Sequence, residues 1–296
     1  MSEQPLEIPE TRRDAGSIRL SNTLFYVIFA VIGGTYVGLI LAMLLADAAY
    51  MAEKTVKAAQ TSGQLSAALT QNPITVALQN PKIRHSIWLS LVSCTMSAIG
   101  SVFVAVPMGY LLARHEFRGK RLLDAVLDIP IVLPPLVIGL SLLILFQFAP
   151  FAWFARDVVY QVSSVVLAQF AVACAFAVRT MKATFDHIDP RCEHVAITLG
   201  CSRMQAFGWV VLPASQRGML TAFTLSWARS LGEFGPLLIF SGATPMKTEV
   251  LSTSVFLEMN VGNIEGAVAV SFIMVLAAVI VLILTRMLGA DQHAIH

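Results

Sequence analysis

Arg229 and Glu233 stand four residues apart inside a long apolar stretch, in Ser226-Trp227-Ala228-Arg229-Ser230-Leu231-Gly232-Glu233-Phe234-Gly235-Pro236. On a helix that spacing puts both side chains on one side, where they can pair. A charge near the bilayer centre costs roughly 2.5–3.5 kcal/mol on insertion scales, so such groups are paired or face water. Two roles fit. One is an ion pair that packs this helix against its neighbours; the other is a polar element of a gate or anion path, with Arg229 as the attracting charge. Gly232, Gly235 and Pro236 loosen the helix around them. Elsewhere, His187, Glu193 and His194 are the only clustered acid–base candidates, and they do not form HExxH. No GxSxG nucleophile motif and no GxxxxGK[ST] phosphate loop occurs. A membrane enzyme therefore lacks a catalytic set, and neither ATP nor another cofactor is expected on this chain.

The elements that position these residues are membrane spans. Of 296 residues, 56% are hydrophobic and only 13% charged, with a mean hydropathy of +0.73. Soluble domains carry roughly 25% charged residues. The net charge of +2 and the absence of a long basic run exclude a nucleic-acid partner. Cys94 and Cys174 lie in apolar segments, Cys192 and Cys201 in a loop, none with CxxC spacing, so they are expected to be reduced thiols and no metal site is expected.

A span needs about 20 mostly apolar residues, and six stretches qualify: 24–46, 87–112, 126–149, 159–180, 217–241 and 264–288. The first ends at Ala46-Asp47-Ala48, which resembles a cleavage site, but its apolar core exceeds the roughly 7–15 residues of a signal peptide. We read it as an uncleaved helix, carrying a Gly34-x-x-x-Gly38 pattern that permits close helix approach. Residues 1–22 form a polar arm, and 23–290 the membrane domain. The outer segment 47–85 is long; a surface helix ending near Pro73, a solvated connector and a docking surface for a partner all fit it. The third span opens on Ile129-Pro130-Ile131-Val132-Leu133-Pro134-Pro135, whose prolines break the hydrogen-bond ladder. Irregular backbone at membrane depth is tolerated where protein or water satisfies it, so Pro134 and Pro135 either line a central pathway or form a structural kink.

With the N-terminus inside, thirteen Lys and Arg fall on the cytoplasmic side and six outside. This bias predicts that both termini are cytoplasmic. It also puts the loop 187–213, between the fourth and fifth spans, on that side. The loop reads Glu193-His194-Val195-Ala196-Ile197-Thr198-Leu199-Gly200, nine residues, then Val210-Val211-Leu212-Pro213. Asp189-Pro190 supplies a helix start, Gly200 a C-terminal cap, and Ser202 the cap of a second helix. Val195, Ala196 and Leu199 fall near one face of the first helix.

This spacing resembles the EAA loop of ABC importer permeases, in which Glu-Ala-Ala is followed by three residues, Gly, nine residues and Ile-x-Leu-Pro. His194 stands at that family's Glu position and Val195 at its first Ala, with an acid next door at Glu193. The resemblance implies an all-α integral membrane protein: six transmembrane helices and a cytoplasmic coupling helix that docks on a separate ATPase subunit. Glu193, His194, Val195, Ala196, Leu199, Gly200, Leu212 and Pro213 would make that contact. Arg229-x-x-Gly232-Glu233-Phe234-Gly235, followed by Gly242, Pro245, Lys247 and Thr248, is similar to permeases of the molybdate, tungstate and sulfate importers, as is the order of residues 248–267. That likeness covers about residues 86–288.

The resemblance implies further partners: a second permease copy, most simply a homodimer, two ATPase subunits, and an extracytoplasmic solute-binding protein that delivers an oxyanion. It also implies a bacterial-type inner membrane. Arg229, Gly232, Glu233, Pro134 and Pro135 are the candidate pathway or gate residues. An ABC permease for phosphate, amino acids or sugars, and an ion-coupled carrier or channel relaying through Arg229 and Glu233, are the alternatives.

Overall fold

The computed structural model describes residues 15–62 and 73–290. Every regular element among them is helical. We label ten helices: α1 (Ala15–Ser62), α2 (Pro73–Gln79), α3 (Pro81–Arg114), α4 (Lys120–Val132), α5 (Pro135–Leu145), α6 (Val162–His187), α7 (Pro190–Thr198), α8 (Gln216–Leu231), α9 (Leu251–Asn260) and α10 (Ile264–Ala290). Shorter turns are named by their residues.

The chain divides into two units, the first ending at Glu53 and the second starting at Lys54. The first is the greater part of α1, apolar on all faces as a helix in lipid is. Helix α1 starts at Ala15, inside the expected polar arm, and runs on to Ser62. Residues 1–14 of the arm, and 63–72 of the segment 47–85, lie outside the described residues. Beyond them Pro73 opens α2 rather than closing a helix, the position that best tolerates a missing N–H.

In the second unit α3, α6 and α8 pack on one another. Asn80 caps α3 by accepting from the Lys82 N–H at 3.0 Å, ahead of Pro81. Small residues set the spacing of the three helices. A Cβ on Gly109 would lie 2.8 Å from the Met181 Cβ and the Lys182 nitrogen, and one on Gly218 only 2.2 Å from the Thr184 side chain. Two buried apolar clusters result. One joins Ala105, Leu112, Val178, Met181, Phe185, Val211 and Ala222; the other joins Leu89, Phe146, Val165, Ala168, Leu237, Phe240 and Val250. Between them along all three helices runs a buried polar band. Ser97 and Ser230 share a hydrogen bond at 3.1 Å, Gln169 Nε2 donates to the Ser230 carbonyl at 3.3 Å, and Trp227 Nε1 donates to Thr95 Oγ1 at 3.3 Å. Interhelical bonds of this kind contribute about 0.6 kcal/mol each in a membrane.

Four helices among the described residues are long and apolar enough to cross a membrane: Phe25–Glu53, Pro81–Arg114, Val162–His187 and Ile264–Met287. The expected third and fifth spans are not continuous helices. The third is α4 and α5, bent by 113° at the break between them. Pro134 and Pro135 bring no N–H to the ladder there, and the residue before each proline is pushed out of the helical region. The fifth is the 16-residue α8, which rises about 24 Å, less than the hydrocarbon core of about 30 Å. Gly232–Pro236 interrupts it, and the chain resumes as the π-helical turn Leu237–Ser241.

Helix α4 is held from the side. Arg179 of α6 reaches Asp124 at 2.7 Å and Asp128 at 2.5 Å, and its guanidinium also donates to the Asp124 carbonyl. At the start of α4, Lys120 pairs with Glu116 at 2.6 Å; the bond and charge of Lys120 hold the Glu116 carboxyl below its usual range.

Candidate functional site

The loop between α6 and α8 folds into a compact knob. Asp189 accepts from the Arg191 N–H at 2.9 Å, and Pro190 follows as the first helical residue of α7, so the helix start is satisfied without water. At its end Gly200 takes φ +97°, a left-handed conformation that glycine adopts at little cost. The Gly200 and Cys201 N–H groups then close on the Ile197 and Ala196 carbonyls at 3.0 and 3.1 Å. Ser202 and Gln205 form a reciprocal capping box, which starts the turn Arg203–Ala206. The π-helical turn Phe207–Val211 comes next, just ahead of Pro213, which has no N–H for a regular ladder.

The knob is tied to the end of α3. Tyr110 OH donates to Glu193 Oε1 at 2.5 Å, and Arg114 Nη2 donates to the Ile188 carbonyl at 2.6 Å. The Tyr110 ring packs edge-on against Phe185 and Phe207, with centroids 5.7 and 4.8 Å apart. Glu193 is therefore half-buried and turned toward α3, whereas His194 is exposed. Leu199 is 81% and Val195 56% exposed, but Ala196 is only 7% exposed. The three were expected on one outward face; Ala196 instead points inward. Met204, beyond the glycine corner, is 79% exposed. Leu212 is half-buried and Pro213 exposed. Exposed apolar residues gathered on one such knob mark an interaction surface rather than a core. A cleft of about 970 Å³ separates the knob from α3 and includes Tyr110, Arg114, His115, Glu193 and His194 in its walls.

The gate candidates form a second constellation. Arg229 and Glu233 make an ion pair; Glu233 is buried and Arg229 partly exposed, with its guanidinium 5.6 Å over the Phe176 ring. The break that follows α8 lies directly on the start of α5. A Cβ on Gly139 would sit 2.7 Å from Pro236 Cα, and one on Gly235 2.9 Å from the Leu136 nitrogen and 3.2 Å from Pro135. The structure thus brings Pro135 to the Gly232–Pro236 segment, backbone to backbone, while Pro134 and Gly232 are exposed. Beyond the break, Ser252 donates to the Glu233 carbonyl at 2.6 Å, and Thr248 donates to the Gly242 carbonyl at 2.6 Å.

Sequence reasoning did not find Tyr110, Arg114 or Arg179. Their signal was a polar group in or near the last turns of an apolar helix, which does not name a partner 51 to 83 residues away. No cluster of three or more metal-ligating side chains occurs among the described residues.

Residues 105–292 match the family of binding-protein-dependent transport system inner membrane components. The chain is similar to the sulfate transport system permease protein CysT of Escherichia coli (strain K12), 32% identical over 210 residues, 69% of this chain and 76% of that protein. It is 31% identical over 218 residues to the molybdate/tungstate transport system permease protein WtpB of Pyrococcus furiosus, covering 73% and 83% of the two chains. The fold is shared with a chain in the crystal structure of a bacterial alginate ABC transporter in complex with alginate pentasaccharide-bound periplasmic protein. There the TM-score is 0.67 at 12% identity, over 95% of this chain and 98% of that one.

Proposed function

The chain belongs to the family of binding-protein-dependent transport system inner membrane components, and from that premise we propose that it is the permease subunit of an ATP-driven oxyanion importer. The relatives named for sulfate and for molybdate/tungstate support the substrate class. ATP hydrolysis belongs to separate partner chains. The membrane domain crosses six times, through α1, α3, the bent pair α4–α5, α6, α8 with its π-helical continuation, and α10. Both termini and the α7 knob face the cytoplasm. A second permease copy, two ATPase subunits and an extracytoplasmic binding protein complete the importer.

The observation that carries this reading is the knob itself: a capped helix, a glycine corner and a second capped turn, anchored on α3 through Tyr110 and exposing Val195, Leu199 and Met204. An ATPase that closes on ATP moves a membrane subunit only through a rigid lever. Motion of α7 is handed to α3 by the Tyr110–Glu193 and Arg114–Ile188 bonds, and to α8 through the continuous turns 203–215. Helix α8 ends where its break rests on α5, so the same motion shifts the contact between Gly139 and Pro236. Arg229, seven residues before Pro236 and paired with the buried Glu233, supplies the positive charge for an anion in transit.

The test is a pull-down of the tagged chain from detergent-solubilised native membranes, with partners identified by mass spectrometry. Recovery of an ATP-binding cassette subunit, and uptake of labelled sulfate or molybdate that depends on this chain, is the expected result. Recovery of the chain alone, under conditions that preserve other such complexes, would overturn it.

A further inference from the structure

The chain between α5 and α6 presents an aromatic surface. Phe148, Phe151, Trp153, Phe154 and Tyr160 are all exposed, Trp153 by 75%. No charged side chain occurs between Asp128 and Arg156; Arg156 and Asp157, both exposed, end the run. The other side of this segment is fixed. Phe146 is buried, and its ring centroid lies 5.9 Å from that of Phe151 and 5.4 Å from that of Phe240. Ala155, Val158 and Val159 pack on the buried cluster that holds Phe146 and Phe240, and the Tyr160 N–H donates to the Phe240 carbonyl at 3.4 Å. A packed base therefore holds the exposed rings outward.

Exposed apolar area of this kind marks an interaction surface, and three observations select lipid as what covers it. The segment leads directly into α6, a helix long and apolar enough to span, so it lies at a membrane surface. Its composition is that of the headgroup level, where Trp and Tyr rings collect because one end is apolar and the other wet, and where a guanidinium finds phosphate. A second exposed indole stands close by on α3: Trp88 is the neighbour of Leu89, which packs in the same buried cluster as Phe146. A protein that docks reversibly uses a surface no more apolar than average, which a charge-free run of rings is not. We propose that residues 148–156 are an interfacial anchor, with Phe148, Trp153 and Phe154 inserted at the headgroup–acyl boundary and Arg156 on lipid phosphate. Through Phe151, Phe146 and Phe240 the anchor also holds the π-helical turn Leu237–Ser241, the segment that follows the α8 break, at a fixed depth. The proposal rests on the reading above for assigning this end of α6 to the outer leaflet.

The test uses the full chain with Cys192 and Cys201 replaced by serine, spin-labelled at one new cysteine and placed in phosphatidylcholine nanodiscs. Phe148→Cys, Trp153→Cys and Phe154→Cys are compared with Glu116→Cys, whose parent side chain is 89% exposed, as the water reference. Collision of the nitroxide with oxygen reports lipid, and collision with a nickel chelate reports water. We expect all three labels to be shielded from the chelate and open to oxygen, at a depth of about 5–10 Å below the phosphates. Each label leaves two of the three rings in place, so a single variant that fails to fold does not decide the matter. Chelate access equal to that at Glu116 in all three overturns the proposal and gives the surface to a water-borne partner such as a solute-binding protein. Shielding from both colliders, with dipolar broadening between labels, overturns it too, by showing a second copy of the chain on this face. Sidedness is read separately. Arg156→Cys in intact cells should react with a membrane-impermeant maleimide; reaction only after permeabilisation counts against the topology proposed above and leaves the anchor standing.

Discussion

Gly139 and Pro236 meet backbone to backbone, so that a Cβ on Gly139 would stand 2.7 Å from the Pro236 Cα and 3.0 Å from its carbonyl oxygen. Each residue lies within about a turn of a break between two helical segments, and the two breaks pack on one another. Prolines free carbonyls that must find partners, and glycines let the second segment come close enough to shield them. The contact joins the two discontinuous segments, and Pro236 follows Glu233 of the Arg229–Glu233 ion pair by three residues.

Gly139→Ala should therefore behave as an overpacking substitution. Its methyl would meet backbone rather than a yielding side chain, at a cost of about 1–3 kcal/mol. Thermal unfolding in detergent should shift down. Transport should fall further than the amount of folded protein, because the contact lies in the proposed moving part. Gly100→Ala, whose methyl would make only ordinary contact with the Phe170 ring at 3.5 Å, is the control. Equal stability for the two variants would remove the crossing from the account.

Tyr110→Phe deletes the bond to Glu193 and keeps the ring stack on Phe185 and Phe207. Hydrogen bonds to charged groups are worth about 1.5–3 kcal/mol; with Glu193 only half-buried, about 1 kcal/mol is the larger end of what we expect. The functional effect should exceed the loss of stability, with ATP hydrolysis continuing while uptake drops. A variant as tightly coupled as the wild type would mean that the lever runs only through residues 203–215.

Val195→Glu and Leu199→Glu should abolish co-purification with the ATPase while leaving the chain inserted, since both side chains are exposed. Ala196→Asp should instead lower stability by about 2 kcal/mol or more, because it buries a carboxylate with no partner. This contrast between neighbours on one short helix tests its orientation. Loss of the ATPase in all three with equal stability would mean that Ala196 faces outward.

Arg229→Ala leaves the Glu233 carboxylate buried and unpaired. Removing one member of a fully buried pair costs about 3–5 kcal/mol; Arg229 is partly exposed, so a smaller loss is expected. The double variant R229A/E233Q separates the two roles of the pair. If the arginine only packs the helix, removing both charges restores stability and uptake together; if it also attracts the anion, stability returns and uptake does not. An R229A chain with normal uptake and stability would sink both roles.

Family membership was legible in local features. Gly200, nine residues and Val210-Val211-Leu212-Pro213 are turn chemistry, and neighbours in the chain carry it: the left-handed glycine, the capping serine, the missing proline N–H. The apolar stretches were legible for the same reason, since hydropathy depends on composition over about 20 residues. The breaks were partly legible, because prolines and glycines announce them, but the 113° bend of α4 on α5 and the meeting of the two breaks were decided only by the tertiary structure. So were the inward turn of Ala196, the Tyr110–Glu193 bond across 83 residues and the hold of Arg179 on Asp124 and Asp128. In water a buried helix face declares itself by being more apolar than the exposed face. In lipid both surroundings are apolar, so α3, α6 and α8 carry little periodic signal, and packing at Gly109 and Gly218 sets which side of each helix is inside.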